Sequence, residues 1–205
     1  MSHSSCTAWC GAWLALACAL VPAAAHAAPQ PATATNPRGL ESLLQQFAAR
    51  RASHVAFTEV HQLAILDHPL QSSGELLYQA PDRLEKRVLK PKPEVLLFEH
   101  GVLTAQRGSH RRVLALEDYP QVAPFVESLR AVLAGDQAAL ERYFTPRFSG
   151  SLASWTLELE PTGPTVARSV RYIRLAGEGD AIHTVEIRQS DGDASLLTLG
   201  PELSP

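Results

Sequence analysis

Three histidines recur every seven residues, at His54, His61 and His68, and regularly spaced imidazoles are the first pattern to weigh as a metal site. A step of seven along a strand alternates faces, so neighbouring members point apart, and Pro69 breaks the segment. No thiolate is at hand to complete a ligand set. Surface and turn histidines, and no metal, are the expectation. The carboxylate pairs Glu158/Glu160 and Asp191/Asp193 have the composition of a general acid and base. The first lies on the polar side of an alternating strand and the second in a Ser-Asp-Gly-Asp turn, which makes both pairs solvated charge. The sequence contains no Gly-x-Ser-x-Gly, no His-Glu-x-x-His and no phosphate loop. It implies no catalytic residue and no cofactor, and the chain reads as a non-enzyme.

One side chain remains out of place. In Gly74 to Pro91, two strands around a turn, alternation puts Leu76, Tyr78, Leu84 and Val88 on one face, and Lys86 falls among them. An unpaired ammonium is costly to bury, so it either snorkels to a rim or pairs with an acid. If the face lines a cavity, Lys86 meets the carboxylate or phosphate of an amphiphile at its mouth. If a bulge intervenes, Lys86 turns outward. The basic run Arg83, Lys86, Arg87, Lys90 and Lys92, with Arg107, Arg111 and Arg112, is either a solvated hairpin face or a docking surface for an acidic partner or anionic membrane.

The elements that position these residues are legible from periodicity. Asn36 offers an N-cap and Pro37 a first helical residue, followed by Leu40, Leu43, Leu44 and Phe47 at helical spacing. From Val55 the period changes to two. Strands are predicted near 54–63, 72–79, 83–90, 94–98, 102–107 and 111–116. Asp118 would cap a helix carrying Val122, Phe125, Val126, Leu129, Val132 and Leu133, ended by Gly135, and Asp136 caps a short helix, Gln137 to Phe144. Trp155, Leu157 and Leu159 then alternate with polar residues, and strands near 168–175, 182–189 and 194–199 follow, the last two joined by an Asp-Gly turn. Without βαβ alternation the class is α+β. Ten or eleven antiparallel strands curl, and three helices over their apolar side give an incomplete barrel with helices covering a hydrophobic cavity.

At the N-terminus an apolar run from Gly11 to Val21 is too short to span a bilayer, and Ala25-His26-Ala27 has the pattern of a signal cleavage site. Residues 1–27 are therefore expected to be a cleaved signal peptide and 28–35 a flexible spacer. No Lys or Arg precedes the apolar run. Cys18 follows Leu-Ala-Leu-Ala, which invites a lipidation site, but Ala15 stands where leucine is usual. All three cysteines (Cys6, Cys10, Cys18) lie in this leader, so the mature chain has none, as suits an oxidising compartment. A net charge of −3 argues against nucleic acid as a partner.

Several segments together resemble the LolA-like periplasmic lipoprotein carriers. His-Val-Ala-Phe-Thr-Glu-Val (54–60) is similar to that family's Phe-x-Gln strand opening, with Glu59 where glutamine is usual. Gly74 to Lys86 resembles its Gly-x-Leu…Arg-Pro segment. Glu94 to Thr104 resembles its strand–Asp-Gly–strand hairpin, with His100 and Gly101 in the turn, and 182–199 resembles its final meander. Ala80 stands where the family's gating arginine precedes Pro81, so that gate is not implied here. Lys86 stands where an aromatic is common. The resemblance implies one lipid- or lipoprotein-binding domain over 36–205, working in the periplasm as a monomer. It would carry a lipid or lipidated protein from an inner-membrane transporter to an outer-membrane acceptor. The alternative is a lipid-sensing regulatory module of the same fold. The expected cavity lining is Phe57, Leu76, Tyr78, Leu84, Lys86, Val88, Leu97, Trp155, Leu157 and Leu159 from the sheet, with Phe125, Val126 and Leu129 from the helix. An ordinary packed core would use the same residues.

Overall fold

The computed structural model describes residues 36–118 and 123–203; the leader, the spacer and Val122 lie outside the described residues. Helix α1 (Pro37–Ala49) starts where Asn36 and Pro37 predict. The Asn36 side chain accepts a hydrogen bond from the Gly39 amide at 3.1 Å, satisfying a first-turn donor that has no partner within the helix. Leu40, Leu43, Leu44 and Phe47 form its buried face.

Six strands follow as a meander: β1 (Ala52–Gln62), β2 (Leu70–Gln79), β3 (Arg83–Lys90), β4 (Glu94–Glu99), β5 (Val102–Arg107) and β6 (His110–Ala115). The β4–β5 turn is the two residues His100 and Gly101, both at positive φ, as a tight hairpin requires. The β2–β3 register slips beside Gly74. A side chain there would overlap the Arg87 carbonyl, so only glycine fits.

Asp118 ends a 3-10 turn (Leu116–Asp118); the helix start predicted just after it falls at 119–122, outside the described residues, and among the described residues helix α2 runs Ala123–Ala134. Asp136 caps α3 (Gln137–Glu141), accepting from the Ala139 amide at 2.9 Å. That helix is shorter than predicted, because Phe144 opens a strand the sequence reading omits, β7 (Phe144–Ser151). Pro146 and Gly150 disguise it; both are tolerated because β7 is an edge strand. Then come β8 (Ser154–Pro161), a one-turn helix α4 (Pro164–Ala167), β9 (Val170–Glu178), β10 (Ala181–Gln189) and β11 (Ala194–Glu202).

All eleven strands form one antiparallel sheet in the order β6-β5-β4-β3-β2-β1-β11-β10-β9-β8-β7. Strands β6 and β7 are edges, so the sheet stays open: an α+β fold, a curled half-barrel with a few helices. The first and last strands pair at its centre. Two wings result, β1–β6 on one side and β7–β11 on the other.

Candidate functional site

The strand register fixes which side chains share a face. Val55 lies opposite Leu76, Leu76 opposite Lys86 and Lys86 opposite Leu96, so these four form one row on the inner face. Across the centre, Glu59 lies opposite Leu197, which continues the same face through Val185, Leu175 and Leu157.

The helices pack closely over part of the sheet and leave the rest of its inner face uncovered. Against β7–β11 they form a dry core in which Phe47, Leu140, Phe144, Phe148, Trp155 and Leu157 are each at most 2% exposed. Phe47 meets Trp155 edge to face at 6.0 Å between ring centres, and the Trp155 indole donates to the Gly179 carbonyl at 2.9 Å. Over the other wing, α2 presents Phe125, Val126, Leu129 and Leu133 without closing the gap. A cavity of about 1110 Å³ is left between them and the inner face, from Leu76, Leu84, Lys86 and Leu96 across the centre to Leu197, Val185 and Ile187. That volume is just above the usual range for small-molecule sites.

The expected lining residues therefore divide. Leu76, Tyr78, Leu84, Lys86, Phe125, Val126 and Leu129 all face the cavity. Trp155, Leu157 and Leu159 lie in the filled wing. Phe57 is buried at the centre with the Lys86 ammonium 5.0 Å from its ring centre. Val88 is half-buried one step further along the face, opposite Gly74. Leu97 pairs with Glu85 and Thr104, in the row opposite to Lys86, and Leu96 and Phe98 take the place assigned to it. The run Val95 to Phe98 is apolar throughout, so alternation could not say which members point inward.

Lys86 does face inward, and it is paired. Its ammonium donates to Glu59 Oε2 at 2.7 Å. Glu59 also accepts from the Ser72 hydroxyl at 3.0 Å and the Ser195 hydroxyl at 2.7 Å. Burial pushes the Glu59 carboxyl up, but the neighbouring Lys86 charge and the three hydrogen bonds outweigh it and hold the group below its ordinary value. Sequence reading did not couple these two residues, although counting by two from Phe57 puts Glu59 on the same face. Two further polar atoms on the cavity wall, His61 Nε2 and the Tyr78 hydroxyl, are buried without a hydrogen-bond partner among the described residues. Burial pushes the Tyr78 phenol up.

The remaining candidates sit elsewhere. Arg83 and Arg87 on the outer face bond Glu85 at 2.9 and 2.6 Å, and Arg107 bonds Glu94 at 2.7 Å, so much of the basic run is neutralised across strands. Glu158 is held by Arg174 at 2.6 Å and Glu160 by Arg147 at 2.9 Å. Asp193 accepts from the Ala64 amide at 2.8 Å and Asp191 from the Asp193 amide at 3.0 Å, both as turn contacts. His54 bonds Glu75 at 3.1 Å, while His61 faces the cavity, so the three histidines are not brought together. No helix among the described residues is long and apolar enough to cross a membrane.

Residues 32–201 match the family described as outer membrane lipoprotein carrier protein LolA-like. No curated protein sequence matches the chain. Among solved structures it is similar to a LolA superfamily protein from Nitrosomonas europaea, at 12% identity and TM-score 0.45 over 82% of this chain and 94% of that one. It is also similar to a putative outer membrane lipoprotein-sorting protein domain from Vibrio parahaemolyticus, at 13% identity and TM-score 0.43 over 81% and 92%. A third likeness is to the lipoprotein LppX of Mycobacterium tuberculosis, at 9% identity and TM-score 0.42 over 83% and 98%.

Proposed function

The chain belongs to the outer membrane lipoprotein carrier protein LolA-like family, and from that premise we propose that it is a periplasmic carrier. It shields the acyl chains of a lipid or lipoprotein in transit from the inner to the outer membrane. The observation that carries this reading is the unfilled cavity: about 1110 Å³ bounded largely by aliphatic and aromatic side chains on α2 and on strands either side of the sheet centre. Left empty, such a face forgoes dispersion contacts over its whole lining. Occupied by an acyl chain, it recovers them, at about 0.8 kcal/mol for each methylene removed from water. Binding and handover need no catalytic group. Transfer is downhill when the acceptor buries the same chain more completely.

The signal peptide and the exported location belong to this proposal, with cleavage after Ala27. N-terminal sequencing of exported protein should find Ala28 or a near neighbour, and a lipid-modified Cys18 would overturn it. The carrier reading itself is tested by native mass spectrometry of protein taken from the periplasm, together with titration by an environment-sensitive apolar dye. About one lipid or one dye per chain is expected. A well-folded protein that co-purifies with no lipid and binds no dye would refute the reading. Trp155 is a poor reporter for this purpose, since it lies in the filled wing.

A further inference from the structure

Charges that reach an otherwise apolar cavity say what the polar end of the cargo can be. Two permanent cations lie on its wall, Lys86 and Arg50. Each is already engaged: Lys86 by Glu59 at 2.7 Å, and Arg50 by Glu202 at 2.7 Å and Asp180 at 3.6 Å. An ionised cargo carboxylate would enter a poorly solvated space beside Glu59, with no uncompensated Lys or Arg among the described lining residues to receive it. Desolvation and like-charge repulsion both oppose it.

What the wall does offer is neutral hydrogen bonding. Lys86 has three donors, of which Glu59 takes one. His61 Nε2 and the Tyr78 hydroxyl face the same space, buried and without a hydrogen-bond partner among the described residues. Buried polar groups are normally satisfied, so these two are ready partners for an uncharged acceptor or donor on a ligand.

We propose that the cavity selects cargo whose polar end is uncharged and hydrogen-bonding, an ester, amide or hydroxyl, and rejects the free acid of the same chain, with Glu59 setting this choice through Lys86. The inference rests on the carrier reading and narrows it. Glu59 acts as a specificity residue: it cancels the charge of Lys86 while leaving two of its N–H donors unused.

The test is dye displacement from the mature protein at pH 8 by two probes of equal chain length, monomyristin and myristate, each below its aggregation concentration. The wild type should bind monomyristin at least about tenfold more tightly. Glu59→Gln keeps the shape and the serine contacts but frees the Lys86 charge, so the ratio should fall to near one or invert. Glu158→Gln, on the outer face, should leave it unchanged. Equal affinities in the wild type, or preference for myristate, would overturn the proposal even if Glu59→Gln failed to fold. An unchanged ratio in a folded Glu59→Gln would overturn the role of Glu59. Binding of neither probe would take the carrier reading down with it, an outcome distinct from equal binding of both.

Discussion

Replacing Lys86 by methionine should destabilise the protein at neutral pH and do so less as the solution is acidified. Removing one partner of a buried ion pair typically costs about 3–5 kcal/mol, because the other charge is left behind. Here the side chains of Lys86 and Glu59 keep 24% and 15% of their exposure, and Ser72 and Ser195 stay bonded to the carboxylate. A loss of about 2–3 kcal/mol is therefore expected, which in a domain of this size lowers the melting temperature by roughly 4–12 °C. The pH dependence differs between the two proteins. In the wild type Glu59 titrates below its ordinary value, so its contribution is present above the unfolded carboxylate range and is lost as pH falls through the folded value. Without Lys86 the two largest causes that oppose burial are gone, so the carboxyl rises relative to the wild type and the variant gains less than the wild type from ionisation of Glu59 as pH rises. The gap between the two should be widest near pH 7.5 and shrink toward pH 4. Thermal and urea unfolding at both pH values measure it, and adding Glu59→Gln should restore part of the loss, with a coupling above about 1 kcal/mol. A Lys86→Met protein as stable as the wild type at pH 7.5, or a deficit that does not change with pH, would refute the pairing.

Other expectations separate the two wings and probe the cavity directly. Shortening an acyl ligand by two methylenes should weaken binding roughly 15-fold, at about 0.8 kcal/mol each; a flat series in dye displacement would mean surface adsorption. Leu157→Ala, at a site with no exposure in the filled wing, should cost about 2–5 kcal/mol in urea unfolding. Leu96→Ala on the cavity wall should cost under about 1 kcal/mol, since its neighbouring space is already open; equal costs would mean that the wings are equally packed. Tyr78→Phe removes a hydroxyl that is buried without a partner among the described residues, so ligand-free stability should hold or rise by up to about 1 kcal/mol. A fall of more than 1.5 kcal/mol would show that the hydroxyl is bonded within the protein.

How far the sequence carries depends on whether a feature is local. Strand existence is local: period-two alternation and turn chemistry place ten of the eleven strands within a few residues. The exception, β7, hides Phe144 and Phe148 behind Pro146 and Gly150, and only its edge position makes that sequence tolerable. Which face a residue takes is also local, provided that the alternation is clean. It is clean at Trp155–Leu157–Leu159, and it fails along Val95 to Phe98, where the inward residues are Leu96 and Phe98. Which wing the helices cover is not local. The clearest alternation in the chain belongs to β8, yet the helices pack most closely there, and the cavity opens over the sheet centre and the less regular strands. Helix placement depends on contacts far apart in sequence, such as Phe47 with Trp155, and no strand pattern contains it.

Lys86 lies between these cases. Its inward direction is a local property of β3, and an inward cation requires an inward acid or an exit to solvent. The acid is Glu59, 27 positions earlier in the sequence, and the same two-residue count that exposes Lys86 also exposes Glu59 once Phe57 is taken as buried. Finding two inward charges of opposite sign on the same sheet was within reach of alternation alone. What alternation could not supply is that β1, β2 and β3 are adjacent and in a register that lets Lys86 span from the row of Leu76 to that of Ser72. Two charges that look like separate anomalies in the sequence become one neutral, hydrogen-bonding feature once strand order is known. That conversion changes the expected cargo from an acidic amphiphile to an uncharged one.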